Sequence, residues 1–260
     1  MASLNPKIVN WQDRSVWIVG ASSGIGWALA QALSLRGARV AVSARNADKL
    51  NAFVLSNPHS FAAPIDVQHS DSVQAASVAV SAHQGLDVVV YCAGHYLAQD
   101  AKAFDAQQLM LHQEVNYLGA VRVLSCVLPS LQAQGFGHVS LISSVAGYRG
   151  LPKSLAYGPT KAALTHLAEC LYMDLHELGL GVSAVLPGFV STPLTAQNTF
   201  EMPALISPEE AAIAMIKGYA RGEFEIHFPK RFTRVLKLLR CLPYAWYFPW
   251  VARLTKGARS

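Results

Sequence analysis

Short runs of Val, Ile and Ala alternate along this chain with longer stretches whose apolar residues recur every three or four positions. Val16–Val19 is the first such run and leads straight into Gly20; Ile25, Ala28, Leu29, Ala32 and Leu33 follow at helical spacing. The alternation continues with a strand over Val40–Ser43, a helix over 47–55 and an extended piece ending Pro64-Ile65-Asp66-Val67. A helix over about 72–82 and a strand over Leu86–Tyr91 come next, then one long helical stretch over 104–131. Val139–Ile142, a helix over 156–178 and Val182–Val185 complete the clear part of the pattern, and Pro187-Gly188 stops the last strand. Strands without internal polar alternation are buried on both faces, so the pattern predicts an α/β fold, a doubly wound parallel sheet with helices on both sides. Ser207-Pro208-Glu209-Glu210 carries a cap, a first-turn proline and a capping-box acid, and predicts a late helix start. The aperiodic run between Pro187 and Ser207 has the length of a binding loop or lid.

Composition changes this picture little until the end of the chain. With 260 residues and 52% hydrophobic content, one α/β domain can bury a sizeable core. The net charge is +5, but residues 226–260 carry eight Lys or Arg and no acid, so the rest sums to −3. A mildly acidic body with a basic end argues against a general nucleic-acid binder. Cys92, Cys126, Cys170 and Cys241 are widely spaced, with no metal-ligand pattern, and read as reduced thiols; no metal site is expected. The first twenty residues lack a signal-peptide layout, and the expectation is a cytoplasmic protein.

Candidate chemistry collects where strands end. Gly20-Ala21-Ser22-Ser23-Gly24-Ile25-Gly26 joins the first strand to the first helix, where glycines let backbone N–H groups approach a diphosphate. The second strand ends in Ser43-Ala44-Arg45-Asn46 without the acid that would bind a ribose 2′-hydroxyl. Arg45 reads either as a ligand to a 2′-phosphate, favouring NADP(H) over NAD(H), or as a solvated loop charge. Asn46 reads as a helix cap and Asp48 as a first-turn acid. Asp66 suits an adenine amino group or a helix cap. Ser143 and Ser144 follow a strand, where a hydroxyl can bond a developing oxyanion or cap a turn. Tyr157 and Lys161 lie one helical turn apart on one face, and an ammonium there is expected to pull the phenol pKa down.

Taken together, Gly20/Gly24/Gly26, Asp66-Val67, Ala93-Gly94, Asn116, Ser144, Tyr157/Lys161 and Pro187-Gly188 resemble the short-chain dehydrogenase/reductase family over about residues 12–230. The resemblance implies a Rossmann-type, mostly parallel seven-stranded sheet and hydride transfer between a nicotinamide and a carbonyl or secondary alcohol. It makes Tyr157 the acid or base, Lys161 its modulator and a ligand of the nicotinamide ribose, Ser144 the residue orienting the substrate oxygen, and Asn116 the holder of a relay water. Gly20, Ser22, Ser23, Gly24, Ile25, Gly26, Arg45, Asp66, Val67, Ala93 and Gly94 would contact the cofactor. So would Tyr157, Lys161, Pro187, Gly188, Val190 and Thr192, with 193–206 as the substrate loop. The long helices would pair copies into a homodimer or homotetramer. Two departures stand out: Val19 replaces the usual Thr, and Tyr91-Cys92 replace two asparagines that brace the sheet and the adenosine side.

Residues 231–260 form a basic aromatic extension beyond residues 1–230. Val235, Leu238, Leu239 and Leu242 share one helix face opposite Arg234, Lys237 and Arg240, and Tyr244, Trp246, Tyr247, Phe248 and Trp250 follow. The twelve uncharged residues from Cys241 to Ala252 fall short of the ~20 that cross a bilayer. The segment suits peripheral membrane contact through 231–252 at the inner face of a membrane, an oligomer contact, or a cap over the pocket. Membrane contact would favour a hydrophobic or lipid-like substrate. The rival class is a non-catalytic NADP(H)-binding regulator or membrane-docked scaffold; an epimerase or dehydratase lacks the larger substrate domain.

Overall fold

A computed structural model describes residues 3–198 and 200–256. Thr199, within the predicted substrate loop, and 257–260, the end of the predicted extension with Arg259, lie outside them. Seven strands form one sheet: β1 (Ser15–Val19), β2 (Arg39–Ser43), β3 (Ser60–Ala62), β4 (Val88–Tyr91), β5 (Gly137–Ile142), β6 (Leu180–Pro187) and β7 (Glu225–Phe228). Their order is β3-β2-β1-β4-β5-β6-β7 and every pairing is parallel. The order reverses between β1 and β4, which opens a crevice at the strands' carboxyl ends.

Strand alternation divides the core. Trp17, Val89, Tyr91, Val139, Leu141 and Leu186 pack on one face against α3 (Ser70–Gln84), α5 (Gly119–Gln134) and α6 (Tyr157–Leu175). Val16, Ile18, Val88, Val90 and Val185 pack on the other against α1 (Gly24–Ser34), α2 (Ala47–Ser56) and α7 (Pro208–Arg221). The predicted capping box is present: Ser207 Oγ accepts from Glu210 N, and Glu210 accepts from Ser207 N.

Three differences from the sequence pattern are local. The third strand, a three-residue edge strand, lies earlier than the piece ending at Val67, although Ala63 N and Ile65 N still donate to the Val42 and Ala44 carbonyls beyond it. β7, which periodicity did not reveal, is a four-residue edge strand whose register is fixed only by β6. The stretch 104–131 is not one helix: α4 (Ala106–Gln113) passes through a π-helical turn at Glu114–Leu118 into α5. There the Tyr91 hydroxyl donates to the Val115 carbonyl at 2.5 Å. A side chain on Gly119 would collide with that hydroxyl and with Val67. The Tyr91 departure is thus matched by a glycine that makes room for it.

The chain ends in α8 (Lys230–Arg240) and α9 (Tyr244–Lys256). The predicted stripe does not face the body as a unit: Phe232, Thr233 and Leu236 pack inward, whereas Val235 and Leu238 point to solvent.

Candidate active site

A cleft of about 340 Å³ runs along the carboxyl ends of the strands. One end is lined by Arg45, Asp66 and Val67, the middle by Gly20, Ser22, Ser23, Gly24 and Ile25, and the other end by Ala93, Gly94, Ser144, Tyr157 and Lys161. Pro187, Gly188, Val190 and Thr192 close the far wall. Gly26 and Asn116 stand behind this lining.

The phosphate turn is shaped by close approach. Gly20 has φ +95°, and a side chain there would collide with the backbone of Ala93. Gly26 packs directly on the Gly20 carbonyl, so its contribution is helix-to-strand contact behind the cleft. Ser23 flanks α1 without a side-chain cap bond, which leaves its hydroxyl and the first helical N–H groups for an anion. These features form a cradle that suits a diphosphate. Asn46 caps α2 by accepting from Lys49 N at 3.0 Å, with Asp48 in the first turn. Arg45 is exposed at the cleft's edge and forms no ion pair among the described residues. Asp66 does not cap α3, whose flanking residue is His69; its carboxylate accepts from Gln68 N instead.

At the other end, Lys161 Nζ is buried and donates to the Ile142 carbonyl at 2.8 Å. It lies 5.4 Å from the centre of the Tyr157 ring. Ser143 and Ser144 separate in role. Ser143 Oγ ties to α6 through the Lys161 carbonyl at 2.6 Å, whereas Ser144 lines the cleft and accepts from Ala146 N at 3.1 Å. The expected lowering of the Tyr157 pKa is overturned in the protein alone. Tyr157 keeps some surface open to the cleft, yet burial pushes its phenol up, with a hydrogen bond to Ser144 pulling the other way. Burial also lowers Lys161 to about 8, while its ammonium donates to the Ile142 carbonyl.

Asn116 is fully buried. Its amide nitrogen donates to the His95 carbonyl and to Thr160 Oγ1, both at 3.0 Å, and its oxygen accepts from His95 N at 2.6 Å. The side chain therefore braces the His95 backbone beside Lys161, with both donors spent. His112 braces the same segment, donating from Nδ1 to the Gln108 carbonyl and accepting from Leu97 N at 3.0 Å.

Sequence reasoning missed Tyr96. Its ring meets Tyr157 edge-on at 5.1 Å, and its hydroxyl donates to Asn198 Oδ1 at 2.8 Å. Gln197 Nε2 donates back to the Tyr96 carbonyl. The predicted substrate loop, 193–206, is thus tied across the chain to the residue beside Tyr157, and its last residue, Ile206, bridges to Val190 just before its start. Thr195 occupies the contacts of two predicted cofactor ligands, donating to the Val190 carbonyl at 2.6 Å and lying 3.3 Å from the Thr192 hydroxyl.

The sequence pattern of the family described as short chain dehydrogenase matches residues 14–202. An uncharacterized oxidoreductase of Myxococcus xanthus is 35% identical, aligned over 88% of this chain and 93% of its own. A short-chain dehydrogenase from Streptomyces avermitilis superposes with TM-score 0.76 at 25% identity, over 94% of this chain and 98% of that one. The F189W actinorhodin polyketide ketoreductase, solved with NADPH, shares the fold with TM-score 0.75 at 24% identity, over 88% and 97% of the two chains.

Proposed function

The chain belongs to the short-chain dehydrogenase/reductase family, and from that premise we propose that it reduces a hydrophobic ketone or aldehyde with NADPH. The observation that carries this reading is the meeting of Ser144, Tyr157 and Lys161 in one cleft with an anion-binding turn. The cofactor supplies the hydride. Tyr157, kept protonated by burial, gives its proton to the carbonyl oxygen as negative charge develops there. Ser144 holds that oxygen by donating its hydroxyl proton. Lys161 favours the phenolate left behind and reaches the nicotinamide ribose, and Asn116 keeps the His95 segment in register beside it.

Gly20, Ser22, Ser23, Gly24 and Ile25 hold the diphosphate, with Gly26 behind them, and Asp66, Val67, Ala93 and Gly94 line the adenosine-to-ribose path. Pro187, Gly188, Val190 and Thr192 would hold the carboxamide, with the Thr192 hydroxyl beside that of Thr195. Arg45, unpaired among the described residues, supports NADP(H) over NAD(H). Tyr96, edge-on to Tyr157, together with Val190, Pro193 and Leu194 of the cleft wall gives the substrate end an apolar character that suits a hydrophobic carbonyl. The exposed Val121 and Met173, on α5 and α6, support pairing of copies through those helices. The setting that fits is the cytoplasmic face of a membrane.

The test is NADPH consumption over a series of aliphatic, steroid-like and aromatic ketones. Tyr157→Phe should lower kcat by roughly 10²- to 10⁴-fold while the affinity for NADPH, followed by its fluorescence, stays within a factor of two or so. Undiminished turnover in that variant would remove Tyr157 from the proton path.

A further inference from the structure

The C-terminal helices carry an apolar surface that the fold leaves uncovered. Their seat on the body is fixed. The Arg149 guanidinium lies over the rings of Tyr244 and Tyr247 at 4.1 and 4.4 Å, and it donates to the carbonyls of Arg240 and Leu242. Tyr247 and Val251 are buried, and the Tyr247 hydroxyl donates to the Gly150 carbonyl at 3.0 Å. With those contacts made, Trp246 and Trp250, one turn apart, remain 63% and 56% exposed, and Leu238 of α8 is 72% exposed. No charged residue occurs from Tyr244 to Ala252. A helix apolar around most of its circumference is stable when something covers it, and a patch this rich in aromatics marks an association site.

Charge selects the occupant. Lys230 and Lys237 pair with Glu223 and Glu225, but Arg231, Arg234 and Arg253 are exposed and form no ion pair among the described residues. No acid follows Glu225 in the sequence. A second copy seated on this face about a two-fold axis would set the same arginines against each other. An anionic bilayer offers the opposite charge and an interfacial layer in which Trp and Tyr are well placed.

We propose that α8 and α9 dock this protein on an anionic lipid bilayer, with Leu238, Trp246 and Trp250 in the interfacial layer and Arg231, Arg234 and Arg253 among the headgroups. No helix among the described residues is long and apolar enough to cross a membrane, so the contact is peripheral. The assignment stands apart from the hydride chemistry. It does place the docked surface next to the cleft: Phe232 of α8 packs on Gly188, with its ring 5.8 Å from that of Phe189.

The experiment is co-sedimentation of the full-length protein with vesicles of phosphatidylcholine alone and of phosphatidylcholine with phosphatidylglycerol, read beside light scattering without lipid. The protein should sediment with the anionic vesicles only, release at high salt, and show blue-shifted tryptophan emission when bound. Replacing Arg231 and Arg234 together by Gln should weaken partitioning by roughly 30-fold. The double variant Trp246→Ser/Trp250→Ser should lose both binding and blue shift, with an unchanged far-ultraviolet dichroism and melting midpoint. Equal binding to both vesicles, or none, overturns the proposal. So does a dimer in solution that the double tryptophan variant separates, since the occupant would then be a second copy.

Discussion

Burial, more than the neighbouring ammonium, sets the resting charge of Tyr157. The i,i+4 spacing brings Lys161 beside the Tyr157 ring, as helical geometry requires, but both groups sit in the same desolvated pocket, and burial is the largest cause of the phenol's shift. Spacing could reveal the pair and could not reveal its solvation, which depends on strands and loops far away in sequence. Arg45 is the opposite case, a residue whose surroundings are all local. It lies two residues past the end of β2, Asn46 and Asp48 are taken up by the start of α2, and it forms no ion pair among the described residues. Replacing Arg45 by Asp removes a charge-assisted bond to a 2′-phosphate and adds an acceptor for a 2′-hydroxyl. The ratio of kcat/KM for NADPH to that for NADH should fall by roughly 10- to 100-fold. An unchanged ratio would show that the 2′-phosphate is bound elsewhere.

At the scale of elements, the π-helical turn at Glu114–Leu118 joins the β4-to-β5 crossover to the site. It fixes Asn116, and through Asn116 the His95 backbone. What holds the turn open is the Tyr91 hydroxyl on the Val115 carbonyl, in space left by Gly119. Tyr91→Phe should leave that buried carbonyl unpaired and cost about 1–3 kcal/mol in denaturant unfolding. It should also lower kcat several-fold, because Asn116 and the His95 backbone it holds depend on the turn. Gly119→Ala should reproduce the defect, and adding it to Tyr91→Phe should cost less than the two losses summed, since both act on one contact. Full additivity would refute the coupling. Most strands and helices were legible because burial on both faces leaves an unmistakable apolar run, as in Val88–Val90. The π turn, β7 and the tie between Tyr96 and Asn198 were not. Each depends on a partner distant in sequence: Tyr91 for the turn, β6 for the edge strand, and the substrate loop for Tyr96.

For the molecule as a whole, the buried ionisable groups predict how stability follows pH. His138 lies in the core between the Ser183 hydroxyl, 3.0 Å away, and the Tyr219 ring, and burial lowers it to about 4. Below its ordinary value the unfolded chain takes up a proton that the folded one refuses, so stability is lost as pH falls from about 6.5 to 4. That interval is worth roughly 3 kcal/mol. Lys161 works in the alkaline range with the same sign: from about 8 upward the folded state has already shed a proton that the unfolded chain keeps, and stability rises. Cys92, raised by burial to about 11, begins to oppose this near 9, where the unfolded thiol ionises first. Above about 10 the buried phenols of Tyr91, Tyr157 and Tyr219, all pushed up by burial, drive stability down. The melting midpoint should therefore climb from pH 4 to 6.5, climb again between 8 and 9, and fall beyond 10. In His138→Gln, which keeps a polar partner for Ser183, the acid limb should flatten by on the order of 5–10 °C relative to the wild-type protein. Lys161→Met should erase the rise between 8 and 9 and leave the acid limb as it was. If the two variants track the wild type across both limbs, the proton balance lies in surface carboxylates, and these two buried bases do not govern it.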